Sequence, residues 1–178
     1  MALKAAKYVL GLLIALQFGP QCFAQNTIFA KFDSFTCQGA GDGNFPNSSA
    51  ISSVGLGGTN TFDIGSTGGA SAGQTAFADI KLVKTLDDCT PLLFKALARG
   101  TVLNNVTISI INPATANTPA THLLDILLQF VVITSDQFAE AVGGKPSEVV
   151  TLGWRKITIT HVPSNTQFTW DRATNSSF

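Results

Sequence analysis

The stretch ADIKLVKTLDDCTPLLFKALARGTVLNNVTISII, Ala78 to Ile111, decides the fold, because a short helix is punctuated at both ends inside strand-like sequence. Thr90 is the expected N-cap, its hydroxyl accepting from an orphan N–H of the first turn, and Pro91 follows with no N–H to satisfy and a preset φ. Leu92, Leu93, Ala96 and Leu97 recur at helical spacing, Lys95 and Arg99 face water, and Arg99 complements the helix dipole. Gly100 stops the helix as a left-handed residue just past its end. Before the helix, Phe77, Ile80, Leu82 and Val83 read as strand. After it, Val106, Ile108 and Ile110 alternate with Thr107 and Ser109. One helix is carried by a β-protein.

The chain of 178 residues has room for one domain with a sizeable core. Hydrophobic residues make up 45% and charged residues 12%, with no charge run, which argues against disorder and nucleic-acid binding. Residues 1–24 read as a secretory signal, with Lys4 and Lys7 as the positive region, Tyr8 to Phe18 apolar, and cleavage between Ala24 and Gln25. The alternative, an uncleaved anchor, needs about 20 apolar residues, and this run is about half that. No stable membrane anchor is therefore expected. Losing Lys4 and Lys7 leaves 9 of the 11 basic residues against 11 acidic ones, a net charge of −2 with no attraction for nucleic acid or an anionic membrane.

Of three cysteines, Cys22 leaves with the signal. Cys37 and Cys89 remain as an even pair in an exported chain, which suggests a disulfide. Its loop of roughly 50 residues would contribute about 4 kcal/mol. The alternative is two buried, unpaired thiols.

Within residues 25–178, Thr27 to Phe32 reads as the first strand, and Ala50 to Leu56 is the one strand expected in the Gly, Ser and Asn-rich tract from Cys37 to Gly73. Gly55 to Gly73 is expected to be loop. Further strands are expected at Thr75 to Lys84, Asn105 to Ile111, Leu123 to Thr134, Glu148 to His161 and Gln167 to Trp170. In the longest of them, Leu124, Ile126, Leu128, Phe130 and Val132 form one apolar face. Leu123, Asp125, Leu127, Gln129 and Val131 form the other, which a partner subunit could cover. Seven or eight short strands with no alternating helices indicate an antiparallel barrel or sandwich.

Three blocks carry a resemblance to a known family: Ile28 to Asp33 (IFAKFD), Lys81 to Gly100 with its KTLD and TPLL, and Glu148 to Ile157 (EVVTLGWRKI). Together they resemble the haemolysin-coregulated protein (Hcp) family, the tube proteins of type VI secretion systems, over nearly the whole mature chain. The resemblance implies an antiparallel β-barrel with one short flanking α-helix. It further implies a homohexameric ring, rings that stack into a hollow tube, spike and effector proteins as partners, and no catalytic residues. The family's extended loop, which contacts the next ring, corresponds by position to Gly55 to Gly73. The chain departs from the family in three ways. It carries a signal peptide; neutral Gly, Asn and Ser replace the charged tract after the first strand; and Cys89 stands where a small polar residue is usual. The last two fit an oxidising, extracytoplasmic setting.

No catalytic, cofactor or metal site is expected. His122 and Asp125 are three apart on a strand and so on opposite faces, and His161 ends a strand beside Pro163. Asp87 and Asp88 are better explained by the helix dipole than as paired acids. Gly65 to Gly69 lacks the lysine and the strand-to-helix context of a P-loop. Cys37 and Cys89 lack further ligands for zinc. Trp154 and Trp170 read as core or interface anchors. The expected function is that of a non-enzymatic, secreted or periplasmic ring-forming structural protein. The alternative is a secreted monomeric β-barrel binding module, and a secreted hydrolase comes third for want of a pairable nucleophile and base.

Overall fold

A computed structural model describes residues 27–37, 45–64, 70–114, 119–139 and 146–178, with only the backbone of 61–64, 70–74 and 139. The signal segment 1–24, the Ala24–Gln25 junction, Gly65 to Gly69, and Gly143 and Gly144 lie outside the described residues.

In chain order the elements are β1 (Thr27–Phe32), β2 (Ser48–Gly55), β3 (Gly58–Ile64), β4 (Ala70–Phe77), β5 (Ile80–Thr85), α1 (Thr90–Arg99), β6 (Val102–Asn112), β7 (Thr121–Ala139), β8 (Ser147–His161) and β9 (Thr166–Asp171). Six strands run antiparallel in the order β5-β2-β1-β6-β7-β8, and β8 returns to β5, closing a barrel. β8 serves two neighbours on that side: Ser147 to Leu152 pairs with β5, and Lys156 to His161 pairs with β9. The barrel with one helix is the expected fold.

Alternation along the strands fills the interior. Ala30 and Phe32 from β1, Ile80 and Leu82 from β5, Ile108 from β6, Leu128 from β7 and Leu152 from β8 are all buried in one cluster, and Leu93 and Ala96 of α1 join it. The helix packs on β7.

Four expectations need correction. First, the Gly55 to Gly73 tract is not only loop, because β3 and β4 pair with each other there as a separate two-stranded sheet. A hairpin outside the barrel needs few apolar side chains, so composition alone hid it. Second, Thr75 to Lys84 is two strands. The chain leaves the hairpin at Ala78, whose N–H donates to the Gly57 carbonyl at 2.9 Å, and enters the barrel at Ile80.

Third, the apolar face of β7 does not continue through Phe130 and Val132. Phe130 has φ of 53°, and the strand's inward set changes from Ile126 and Leu128 to Val131 and Ile133. The neighbours change phase on the same line, since β6 buries Leu103 and Val106, and β8 buries Trp154 and Ile157. Phe130 is turned outward, with the Arg155 guanidinium 5.6 Å from its ring centre.

Fourth, Thr90 is the first helical residue and not the cap. The Cys89 carbonyl accepts the first helical bonds, from Leu92 (3.0 Å) and Leu93 (2.9 Å). The C-terminal expectation holds: Gly100 is left-handed at φ 60°, its N–H donates to Leu97, and the Thr101 N–H donates to Ala96.

Candidate functional site: a polar cluster beneath the helix

Lys84, Glu148 and Asp136 are charged residues on the inward faces of their strands. Lys84 follows Ile80 and Leu82 in phase on β5, and Glu148 precedes Val150 and Leu152 in phase on β8. The two are direct cross-strand partners. Asp136 reaches the same place because β7 shifts register by one residue between Ile133 and Ser135, and such a bulge re-aims the side chains beyond it.

The side chains of Lys84 and Glu148 are fully buried, and Lys84 Nζ lies 2.6 Å from Glu148 Oε2. Lys84 Nζ also contacts Asp87 Oδ1 at 2.7 Å and Thr90 Oγ1 at 3.2 Å. Thr90 Oγ1 in turn donates to Glu148 Oε2 at 2.6 Å. That engagement is why its hydroxyl does not cap the helix. Asp87 Oδ1 accepts the Cys89 N–H at 2.9 Å, so this carboxylate both pairs with lysine and fixes the turn into α1.

One ammonium thus faces the carboxyl groups of Asp87, Glu148 and Asp136. Neither oxygen of Asp136, nor Glu148 Oε1, has a hydrogen-bond partner among the described residues if both groups are ionised. A proton held between the two carboxyls pairs one oxygen of Asp136 with Glu148. Burial first, and then the charge of Glu148 and the hydrogen bond to it, push Asp136 up from 3.8 to about 7, with Lys84 working in the opposite direction.

Cys37 and Cys89 are both buried and joined as a disulfide, with Cα atoms 5.2 Å apart. The bridge ties the segment after β1 to the residue that precedes α1. Asp87, Asp88 and Cys89 place ligand-type atoms within 4.8 Å of one another, but the sulfur is committed to Cys37 and Asp87 to Lys84, so the set does not suit a metal ion.

The other singled-out residues lie apart from this cluster. His122 and Asp125 share a face, contrary to the alternation argument, because β7 also slips one residue near its start. Their Nδ1 and Oδ1 are 3.5 Å apart. His161 Nδ1 contacts Ser164 Oγ at 2.7 Å in the turn after β8. Trp154 is a core residue, covered by the Arg172 guanidinium 4.9 Å from its ring, and Trp170 packs beside Phe77 and Phe168. The outer wall carries Phe94 of α1 and Phe138 of β7 in edge contact at 6.0 Å, 48% and 55% exposed. Among the described residues no helix is long and apolar enough to cross a membrane.

The sequence reading missed Lys84, Glu148 and Asp136. Lys84 and Glu148 had a visible signal, a charge in phase with an apolar strand face. Asp136 had none, because nothing in the sequence marks the bulge.

The profile of a family described as "Type VI secretion system effector, Hcp" matches residues 37–161. Among solved structures, one described as a type six secretion system protein superposes with a TM-score of 0.74 at 17% identity, covering 86% of this chain and all 100% of that one. An Hcp protein from E. coli EAEC 042 gives 0.68 at 17% identity, covering 82% and 97%. A secreted Hcp protein from Pseudomonas aeruginosa gives 0.59 at 21% identity, covering 83% and 99%. No curated protein matches the chain in sequence.

Proposed function

Because the chain belongs to the Hcp family of type VI secretion proteins, we propose that residues 25–178 form a non-enzymatic structural subunit that assembles into six-membered rings. The rings stack into a hollow tube that carries effectors and meets the spike proteins of the machine. The observation that carries this reading is the closed barrel of the family's fold, with large apolar side chains left half-open on its outer wall. Phe94, Phe138 and Phe130, the last 49% exposed, are of the kind that neighbouring subunits cover.

Export is part of the proposal. Residues 1–24 direct the chain out of the cytoplasm and are removed between Ala24 and Gln25, and the subunit works in the periplasm or outside the cell. The buried Cys37–Cys89 pair supports this, since such a bridge persists in an oxidising compartment.

Negative-stain microscopy and light scattering on the mature protein test the assembly, and six-membered rings are expected. A particle that stays monomeric at high concentration overturns the ring, and saturable binding of a ligand by that monomer would favour the binding module. N-terminal sequencing of exported protein tests the cleavage point. Gel mobility with and without reductant, compared with Cys37→Ser, tests the bridge.

A further inference from the structure

The geometry points to a covalent modification site in the barrel: an intramolecular isopeptide bond between Lys84 Nζ and Glu148 Cδ, with Asp136 as the acid that assists its formation. It would weld β5 to β8, the seam that closes the barrel.

Three observations converge. The amine and the carboxylate are in contact at 2.6 Å, with both side chains fully buried. They belong to directly opposed residues of antiparallel strands, so the bond needs no backbone movement to bring its partners together. A third carboxyl, that of Asp136, lies within hydrogen-bonding reach of the Glu148 carboxyl, whose Oε1 has no other partner among the described residues, and a bulge in β7 places it there. An ion pair taken out of water costs free energy that its own attraction barely offsets, whereas a neutral amide made from the same atoms carries no buried charge. Holding the two groups in contact supplies the high effective concentration that an unactivated condensation requires.

The step balances without a co-reactant. One proton passes from the ammonium to Oε2, leaving a neutral amine and a neutral acid. The nitrogen lone pair then attacks Cδ and forms the C–N bond while Asp136 donates its hydrogen bond to Oε1. A second proton leaves nitrogen for Oε2, the Cδ–Oε2 bond breaks, and Oε2 departs as water. The third proton stays on the amide nitrogen, and Asp136 ends as it began. One positive and one negative charge disappear together. Thr90 Oγ1, 2.6 Å from Oε2, is positioned to hydrogen-bond the departing oxygen.

The test is the mass of the mature protein, reduced and denatured, with a tryptic map. The expected mass is one water below that of the mature sequence. Trypsin should fail to cut after Lys84, and the segments holding Lys84 and Glu148 should be recovered as one branched peptide. Protein of full sequence mass with Lys84 cleaved normally overturns the proposal, and this reading is made on the wild-type chain whether or not it forms rings. Lys84→Met should restore the full mass. Asp136→Asn keeps both reacting groups and should lower the linked fraction at least tenfold at a fixed time after purification. Linkage as complete as in the wild type would remove Asp136 from the mechanism.

Discussion

Asp136 makes the barrel's stability depend on pH in a direction opposite to that of a salt-bridged carboxylate. Its carboxyl ordinarily titrates at 3.8 and is held at about 7 in the fold. Between those values the folded chain keeps a proton that the unfolded chain has released, so stability falls as pH rises through that window and levels off above it. Below 3.8 both states are protonated and the group contributes no slope. Burial is the first cause of the shift, so the sign is the same whether or not Glu148 has been consumed in an amide. Urea midpoints measured at the two ends of the window should fall toward neutral pH. In Asp136→Asn, which cannot ionise, the fall over that window should be lost, and an equally steep decline in the variant would assign it to other groups. Asp171 works the other way: burial opposes its ionisation, but the Ala173 N–H and Arg155 outweigh that and hold its carboxyl below the ordinary range.

At the scale of elements, β7 and β8 fit together only because one position lacks a side chain. The bulge in β7 adds a residue between Ile133 and Ser135, and that residue, Thr134, hydrogen-bonds Asp79 Oδ2 and the Thr151 carbonyl, both at 3.2 Å. A Cβ at Gly153 would meet Thr134 Cγ2 at 2.8 Å and Val132 Cγ2 at 3.3 Å, both on stiff β-branched side chains. Gly153→Ala should therefore lower stability by about 1–3 kcal/mol in chemical denaturation. An unchanged midpoint would mean that Thr134 yields without loss. This device also marks what the sequence could tell. Apolar alternation placed the barrel strands, and Gly100 placed the end of α1, because each depends on a residue and its near neighbours. The bulges near His122 and at Thr134, and the phase change at Phe130, depend on how three strands meet. They moved His122 onto the face of Asp125, sent Phe130 outward and brought Asp136 in. Thr90 illustrates the same limit: its type suits a cap, but a lysine six residues earlier and a glutamate far along the chain compete for its hydroxyl.

For the whole molecule, the contrast lies between the closed barrel and the separate hairpin. β6, β7 and β8 each have a bonded neighbour on both sides, and the β5–β8 seam completes the ring of strands. Among the described residues β3 and β4 pair as strands only with each other, and the hairpin is held to the barrel at its base, where the Phe77 ring packs on Trp154 and Trp170 and its carbonyl accepts from the Arg172 guanidinium at 2.9 Å. A two-stranded sheet with no third strand to pair with is marginal in water, so beyond this anchored base the hairpin should open far more readily than the barrel. Backbone amides of Gly58–Ile64 and Ala70–Phe77 should thus exchange quickly in dispersed subunits, while those of β6 and β7 remain protected. If the hairpin is the element that meets the next ring, its exchange should slow when rings stack, with little change in the barrel, whose amides are already protected. Hydrogen exchange on dispersed and stacked material separates the outcomes. Slowing confined to the hairpin supports stacking through it. A hairpin that exchanges equally fast in both would place the ring-to-ring contact elsewhere on the barrel.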